Sequence, residues 1–84
     1  MNEQSTVDIP EYDPTRLLDA LKEKLLVKND AALGRMLDLA PPVISKMRHR
    51  KLKIGATALV RMHEVSNLPF RELRRLLGEQ PAKL

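Results

Sequence analysis

The chain of 84 residues has no cysteine and no tryptophan, one tyrosine, one phenylalanine and three glycines. Without cysteine there is no disulfide framework, no thiolate metal site and no cysteine nucleophile. With so few aromatic side chains the core has to be aliphatic, which favours packed helices over a sheet rich in aromatic and β-branched residues. No apolar run approaches the ~20 residues that span a bilayer. The N-terminus lacks a basic head followed by an apolar segment, so it does not read as a secretory signal. A reducing cytoplasm is the expected setting. A chain this short forms one small domain, burying about 60% of the surface its unfolded form exposes.

Acid is scarce where base is dense. Residues 1–13 carry Glu3, Asp8, Glu11 and Asp13 and no base. The other seven acids face all fifteen bases, so residues 14–84 stand at +8 while the whole chain stands at +4. Between Lys46 and Lys53 five of eight residues are Lys or Arg, and His49 is a sixth. Charge of one sign at that density is suited to an extended anion, and nucleic acid is the longest one available.

Residues 1–12 show no apolar period and are expected to form a flexible acidic arm. Residues 13–78 are expected to form one domain of five helices, with a tail at 79–84. Asp13 as N-cap and Pro14 as the first helical residue start the first helix. Leu17, Leu18, Leu21 and Leu25 form its stripe, and it should fade near Leu26. Asn29 caps a second helix over residues 30–37, with Asp30 complementing its dipole. Pro41 and Pro42 fit only the first turn of a helix and fix the start of a third, over residues 41–49. Residues 50–55 make a basic connector pinned by Leu52 and Ile54. A fourth helix spans 56–66, with Leu59, Met62 and Val65 inward and Asn67 in a left-handed cap. Pro69 opens a fifth, with Leu73, Leu76 and Leu77 inward, and Gly78 ends it.

The stretch from Asn29 to Lys53 concentrates the chemistry. Two helices that cross steeply need a small residue at the crossing, which Gly34 supplies. They also need a shared apolar wedge, supplied by Leu33, Leu37, Leu39, Ile44 and Met47. The second helix of such a pair keeps its outer face and N-terminus for the major groove of DNA. Its N-terminal N–H groups, and those of the helix after Asn29, are expected to approach phosphate.

The pattern A-x-L-G-x-x-L-x-L-x-P-P-x-I-S-K-M, residues 31–47, resembles the Cro/C1-type (lambda-repressor-like) helix-turn-helix DNA-binding family. The resemblance extends over residues 14–78. It implies an all-α, compact five-helix domain that inserts the helix of residues 41–49 into the major groove of double-stranded DNA. Two positions depart from the family. Asp38 stands where glycine is usual, a mild change because Asp tolerates turn conformations. Pro41 and Pro42 stand where polar base readers are common, and proline makes no bidentate bond to a base. Readout therefore shifts to Val43, Ser45, Lys46 and His49, with Pro41 and Pro42 packing on a thymine methyl or a sugar.

By the same resemblance Lys46 matches a base-contacting position and suits guanine O6 and N7. Arg48 matches a position that pairs with the first helix in some relatives. Its facing residue here would be Glu23, and that pair competes with a phosphate role for Arg48. Lys51 and Lys53 match backbone-contacting positions, with Arg50 beside them and Asn29 and Arg35 as lesser phosphate candidates. Relatives commonly dimerise, and Leu68, Pro69 and Phe70 form the candidate contact patch.

Plainer readings apply to the rest. The Leu and Met stripes are core. His49 and His63 lie fourteen residues apart with no matching third ligand, so no metal is expected. Ser45 has no base at a useful spacing, and no constellation suggests an enzyme. No cofactor is implied. Arg71, Arg74 and Arg75 read as a solvated face. The expected function is a sequence-specific transcriptional regulator of bacterial or phage origin, more in keeping with a repressor. No sensing domain is expected after the fifth helix, and control is expected from concentration or a partner. The alternative is an antitoxin or adaptor that uses the same fold to hold a toxin or a polymerase subunit.

Overall fold

The computed structural model describes residues 12–78. The expected arm (save Tyr12) and the tail at 79–84 lie outside the described residues. Those residues form five helices and no strand: α1 Pro14–Leu25, α2 Asp30–Leu37, α3 Pro41–Arg48, α4 Ala56–Ser66 and α5 Phe70–Leu77. No helix among them is long and apolar enough to cross a membrane.

The helix starts follow from local chemistry. The Asp13 carboxylate accepts from Arg16 N at 3.0 Å, and Pro14 occupies the first turn. Asn29 Oδ1 accepts from Ala32 N at 2.8 Å. Each bond satisfies a backbone donor that has no partner within its own helix. Pro69 does not open α5 but precedes it. Its ψ of 154° is extended, and its carbonyl accepts from Glu72 N and Leu73 N, so the helix begins at Phe70. Likewise α3 stops at Arg48, with His49 as its cap rather than its last residue.

The helix ends share one device. Leu26 N donates to Glu23 O and Val27 N to Lys22 O; Asp38 N donates to Arg35 O and Leu39 N to Gly34 O; Arg50 N donates to Met47 O and Lys51 N to Lys46 O. In each case the pair of bonds closes over a residue of positive φ, at 60° for Leu26, 58° for Asp38 and 62° for Arg50. This is the Schellman arrangement, ordinarily built on glycine. Here α1, α2 and α3 all end on a non-glycine residue held in the left-handed region. Asn67 at φ 62° and Gly78 at φ 91° end α4 and α5.

The core is aliphatic. Leu17, Leu18, Leu21, Leu33, Leu37, Ile44, Met62, Leu73 and Leu77 have no exposed surface. Ile54 is buried and pins the connector. Leu52, expected to do the same, is 40% exposed. With Lys51 N and Leu52 N both donating to Lys46 O, the tight turn after α3 carries Leu52 outward.

Gly34 sits where α2 meets the turn into α3. A Cβ built there would lie 2.5 Å from the carbonyl oxygen of Leu39. Only glycine lets the chain fold back that closely, since Leu39 N also donates to Gly34 O at 2.8 Å. Arg61 of α4 secures the same corner, donating to Leu37 O at 3.3 Å and to the Asp38 carboxylate at 2.7 Å. A cation at the C-terminal end of α2 also opposes the negative pole of its dipole.

Candidate nucleic-acid interface

α3 divides cleanly into two faces. Ile44 and Met47 are buried, and Val43 packs partly against the core. Pro42, Ser45, Lys46 and His49 are exposed, and their spacing of three, four and seven residues places them on one stripe. Val43, expected among the base readers, is half-exposed and lies at the edge of the outer face.

The N-terminal tip of α3 differs from expectation. Pro41 and Pro42 carry no N–H, and Val43 N donates to Ala40 O at 2.9 Å. Ile44 N bonds the same carbonyl at 3.4 Å. No side chain caps this end. The tip is therefore an apolar surface of exposed Ala40, Pro41 and Pro42, not a cradle of donors for a phosphate. At the start of α2, Asn29 has its carboxamide oxygen committed to the cap, which leaves donation from its amide nitrogen as the chemistry open to an anion.

Arg48 is the main correction among the site residues. Its guanidinium does not meet Glu23. Nε donates to Asp30 Oδ2 at 2.7 Å, and Nη2 donates to Asp30 Oδ1 and to Asp19 Oδ1, both at 2.8 Å. The fork binds Asp30 bidentately, a geometry planar guanidinium favours. Arg48 is largely covered, with 18% of its side chain exposed. The hydrogen bond from Arg48 holds the Asp30 carboxylate below the ordinary aspartate value against the opposing effect of burial. The same bond pushes the Arg48 pKa up. Lys22 adds a second cation 3.5 Å from Asp30. Arg48 thus joins α3 to α1 and to the start of α2, a role that removes it from the phosphate set. Asp19 and Asp30 are the partners that linear spacing did not single out.

His49 Nδ1 lies 3.1 Å from Ser45 O. A carbonyl only accepts, so Nδ1 carries the proton and Nε2 of the neutral ring presents a lone pair. Beyond it, Lys51 and Lys53 are exposed. Arg50 is exposed as well, and its Nη2 donates to Tyr12 O at 2.9 Å. The Tyr12 hydroxyl accepts from Ile54 N at 3.2 Å. The chain's single tyrosine thus braces the basic connector at both ends, a role no motif signalled. Arg35 on α2 is exposed.

Acid is missing along this whole stretch: residues 39–63 contain no Asp or Glu. Two of the bases around it, Arg48 and Arg61, are engaged by Asp30, Asp19 and Asp38. What faces outward is the α3 stripe and the connector lysines.

Between α4 and α5, Pro69 and Phe70 are exposed and Leu68 is half-buried. Phe70 stacks on His63 with ring centroids 4.5 Å apart. His63 Nδ1 donates to Leu68 O at 2.7 Å, and Leu68 N donates to the buried Ser66 hydroxyl at 3.1 Å. This corner is therefore held rigidly from beneath. Arg75 on α5 pairs with Glu72 at 2.9 Å. Among the described residues no group of three His, Asp or Glu side chains is placed to hold a metal ion.

No protein-family model, curated protein or solved structure shows a significant match to this chain.

Proposed function

We propose that the protein is a sequence-specific DNA-binding transcriptional regulator, acting as a repressor, that lays α3 in the major groove. The observation that carries this reading is the exposed stripe Pro42, Ser45, Lys46 and His49, continued by exposed Lys51 and Lys53 with no acid between residues 39 and 63. Ser45 and Lys46 offer donors to base edges, and Lys46 suits guanine O6 and N7. His49 Nε2, when neutral, accepts from an exocyclic amine. Lys51, Lys53 and Arg50 contact phosphate, with Asn29 and Arg35 as outer contacts. Arg48 contributes by fixing α3 against α1 and α2. The corner Leu68, Pro69 and Phe70 is the proposed homodimer contact, which would set two half-sites about 34–36 Å apart.

Titration of random duplex DNA at several salt concentrations tests this. Three to five neutralised phosphates give a log–log slope of roughly −3 to −5. Lys46→Ala relaxes preference at one base pair, whereas Lys51→Ala weakens all sequences alike and lowers the slope by about one. A flat salt response, or no binding at low salt, sinks the proposal.

A further inference from the structure

The outward face of α3 and the connector is rich in donors and poor in acceptors. Lys46, Arg50, Lys51 and Lys53 are exposed, and their side chains only donate. Residues 41–53 contain no Asp, Glu, Asn or Gln. The side-chain acceptors left there are the Ser45 hydroxyl, which also donates, and the His49 ring. A free neutral imidazole carries its proton on either nitrogen, so the other nitrogen is a donor in one tautomer and an acceptor in the other. His49 lacks that freedom. The Ser45 carbonyl lies 3.1 Å from Nδ1 and accepts from it. The same oxygen accepts from His49 N at 3.0 Å, which ties ring and backbone to one point of α3. Nε2, across an exposed ring, is then an acceptor alone.

In the major groove adenine and cytosine present an exocyclic amine, whereas guanine and thymine present a carbonyl oxygen. We infer, on the DNA-binding reading proposed above, that His49 is the residue of α3 that distinguishes amino bases from keto bases, and that its preference reverses when the ring gains a proton. In the protonated ring Nδ1 keeps its bond to Ser45 O, and Nε2 becomes a donor suited to guanine O6 or thymine O4. Adenine still offers N7 to that donor, while cytosine offers nothing, so the reversal is sharpest at cytosine. Histidine changes charge between roughly pH 5 and 8, which couples sequence preference to proton uptake. The charged neighbours are identifiable. Lys46, Arg48, Arg50 and Lys51 lie beside His49 in the chain, and Tyr12 brings its phenol to the connector. The elements packed on α3 are α1 and α2. They bring Asp19, Lys22 and Asp30, gathered around Arg48. Arg16 of α1 is turned to the carbonyls of Leu76 and Arg75. In a complex, DNA phosphate joins this set.

The first measurement needs no DNA. Ring nitrogen chemical shifts of the full chain, followed through the His49 titration, should show Nδ1 protonated and Nε2 bare in the neutral form. A protonated Nε2 beside a bare Nδ1 overturns the inference. The midpoint of that titration sets the second measurement. Duplexes are selected from a random pool at about 1.5 pH units above and below it, where the ring is almost wholly neutral or charged. Base ratios are read rather than affinities, because a charged ring strengthens binding to every duplex. One position should favour adenine or cytosine over guanine or thymine roughly two- to tenfold at the higher pH, the range of one net hydrogen bond. The advantage should pass to the keto bases at the lower pH. His49→Ala, with its helical circular dichroism intact, should lose selection at that position at both pH values. DNA binding with no His49-dependent position, a preference there that ignores pH, or a reversal that persists in His49→Ala overturns the inference and leaves DNA binding standing. If no duplex is retained at either pH, the proposed function fails and the inference falls with it.

Discussion

Arg48 shows how one side chain redistributes charge. Counted along the sequence it belongs to the basic run; in three dimensions it is the partner of Asp30 and Asp19. Charge-assisted, bidentate bonds of this kind contribute about 1–3 kcal/mol. Arg48→Met is therefore expected to lower unfolding free energy by about that amount at neutral pH, measured by urea denaturation. Asp30 has its folded pKa depressed. Its contribution is fully present above the unfolded value of about 3.9 and is lost as pH falls through the lower folded value. The gap between wild type and Arg48→Met should thus narrow as pH falls below the unfolded aspartate value; a gap that stays constant from neutral pH down through full carboxylate protonation counts against the pairing. Leu26 offers the opposite experiment. It is 89% exposed and held at φ 60°. Relief of left-handed strain is worth roughly 1–2 kcal/mol, against about 0.5–1 kcal/mol of extra unfolded-state entropy for glycine. Leu26→Gly should therefore stabilise by about 0.5–1 kcal/mol in the same assay. Nothing in the local sequence marks Leu26 or Arg50 as left-handed, because the usual glycine is absent; only the closing bond pairs reveal it.

Helices were the legible level. Periodic leucines, the Asp13-Pro14 and Asn29 caps and the two prolines at 41 and 42 place three of the helix starts, because each signal is local and chemically specific. Gly34 was legible as a crossing residue for the same reason. Gly34→Ala gains about 1 kcal/mol of helix propensity. Overpacking against the fixed Leu39 carbonyl costs about 1–3 kcal/mol, and with a 2.5 Å approach to backbone the cost dominates. A net loss of about 1–2 kcal/mol is expected from denaturation midpoints. What spacing did not disclose was the character of the α3 tip, since the loss of donors depends on where Val43 N finds its acceptor. On the proposed function, an apolar tip of Ala40, Pro41 and Pro42 meets the one apolar feature of the major-groove base edge, the thymine methyl. Replacing thymine by deoxyuridine at the base pairs beneath the tip should weaken specific binding several-fold, by about 0.8 kcal/mol per methyl group buried. An operator indifferent to that replacement at every position removes the tip from recognition. The partners of Arg48 and the bracing by Tyr12 were also hidden, because each joins residues from separate helices or loops, 18 to 42 positions apart.

At the scale of the molecule the two faces divide the labour: an apolar corner at Leu68, Pro69 and Phe70 lies between α4 and α5, and the basic stripe runs from α3 into the connector. Holding them together is the clasp between α1 and α5. Asp13 N donates to Leu77 O at 2.7 Å, Arg16 Nε to Leu76 O at 2.7 Å and Arg16 Nη2 to Arg75 O at 2.9 Å. The two ends of the domain are consequently neighbours, and the order in which the helices are synthesised is separable from the way they pack. A circular permutant that runs from Asn29 to Gly78, crosses a short Gly/Ser linker, and continues from Asp13 to Lys28 should keep its helical circular dichroism and melt in one cooperative step. It should also fold faster, because the contact most distant along the natural chain becomes a local hairpin of helices. A permutant that melts gradually would mean that the link between α1 and α2 does more than connect them.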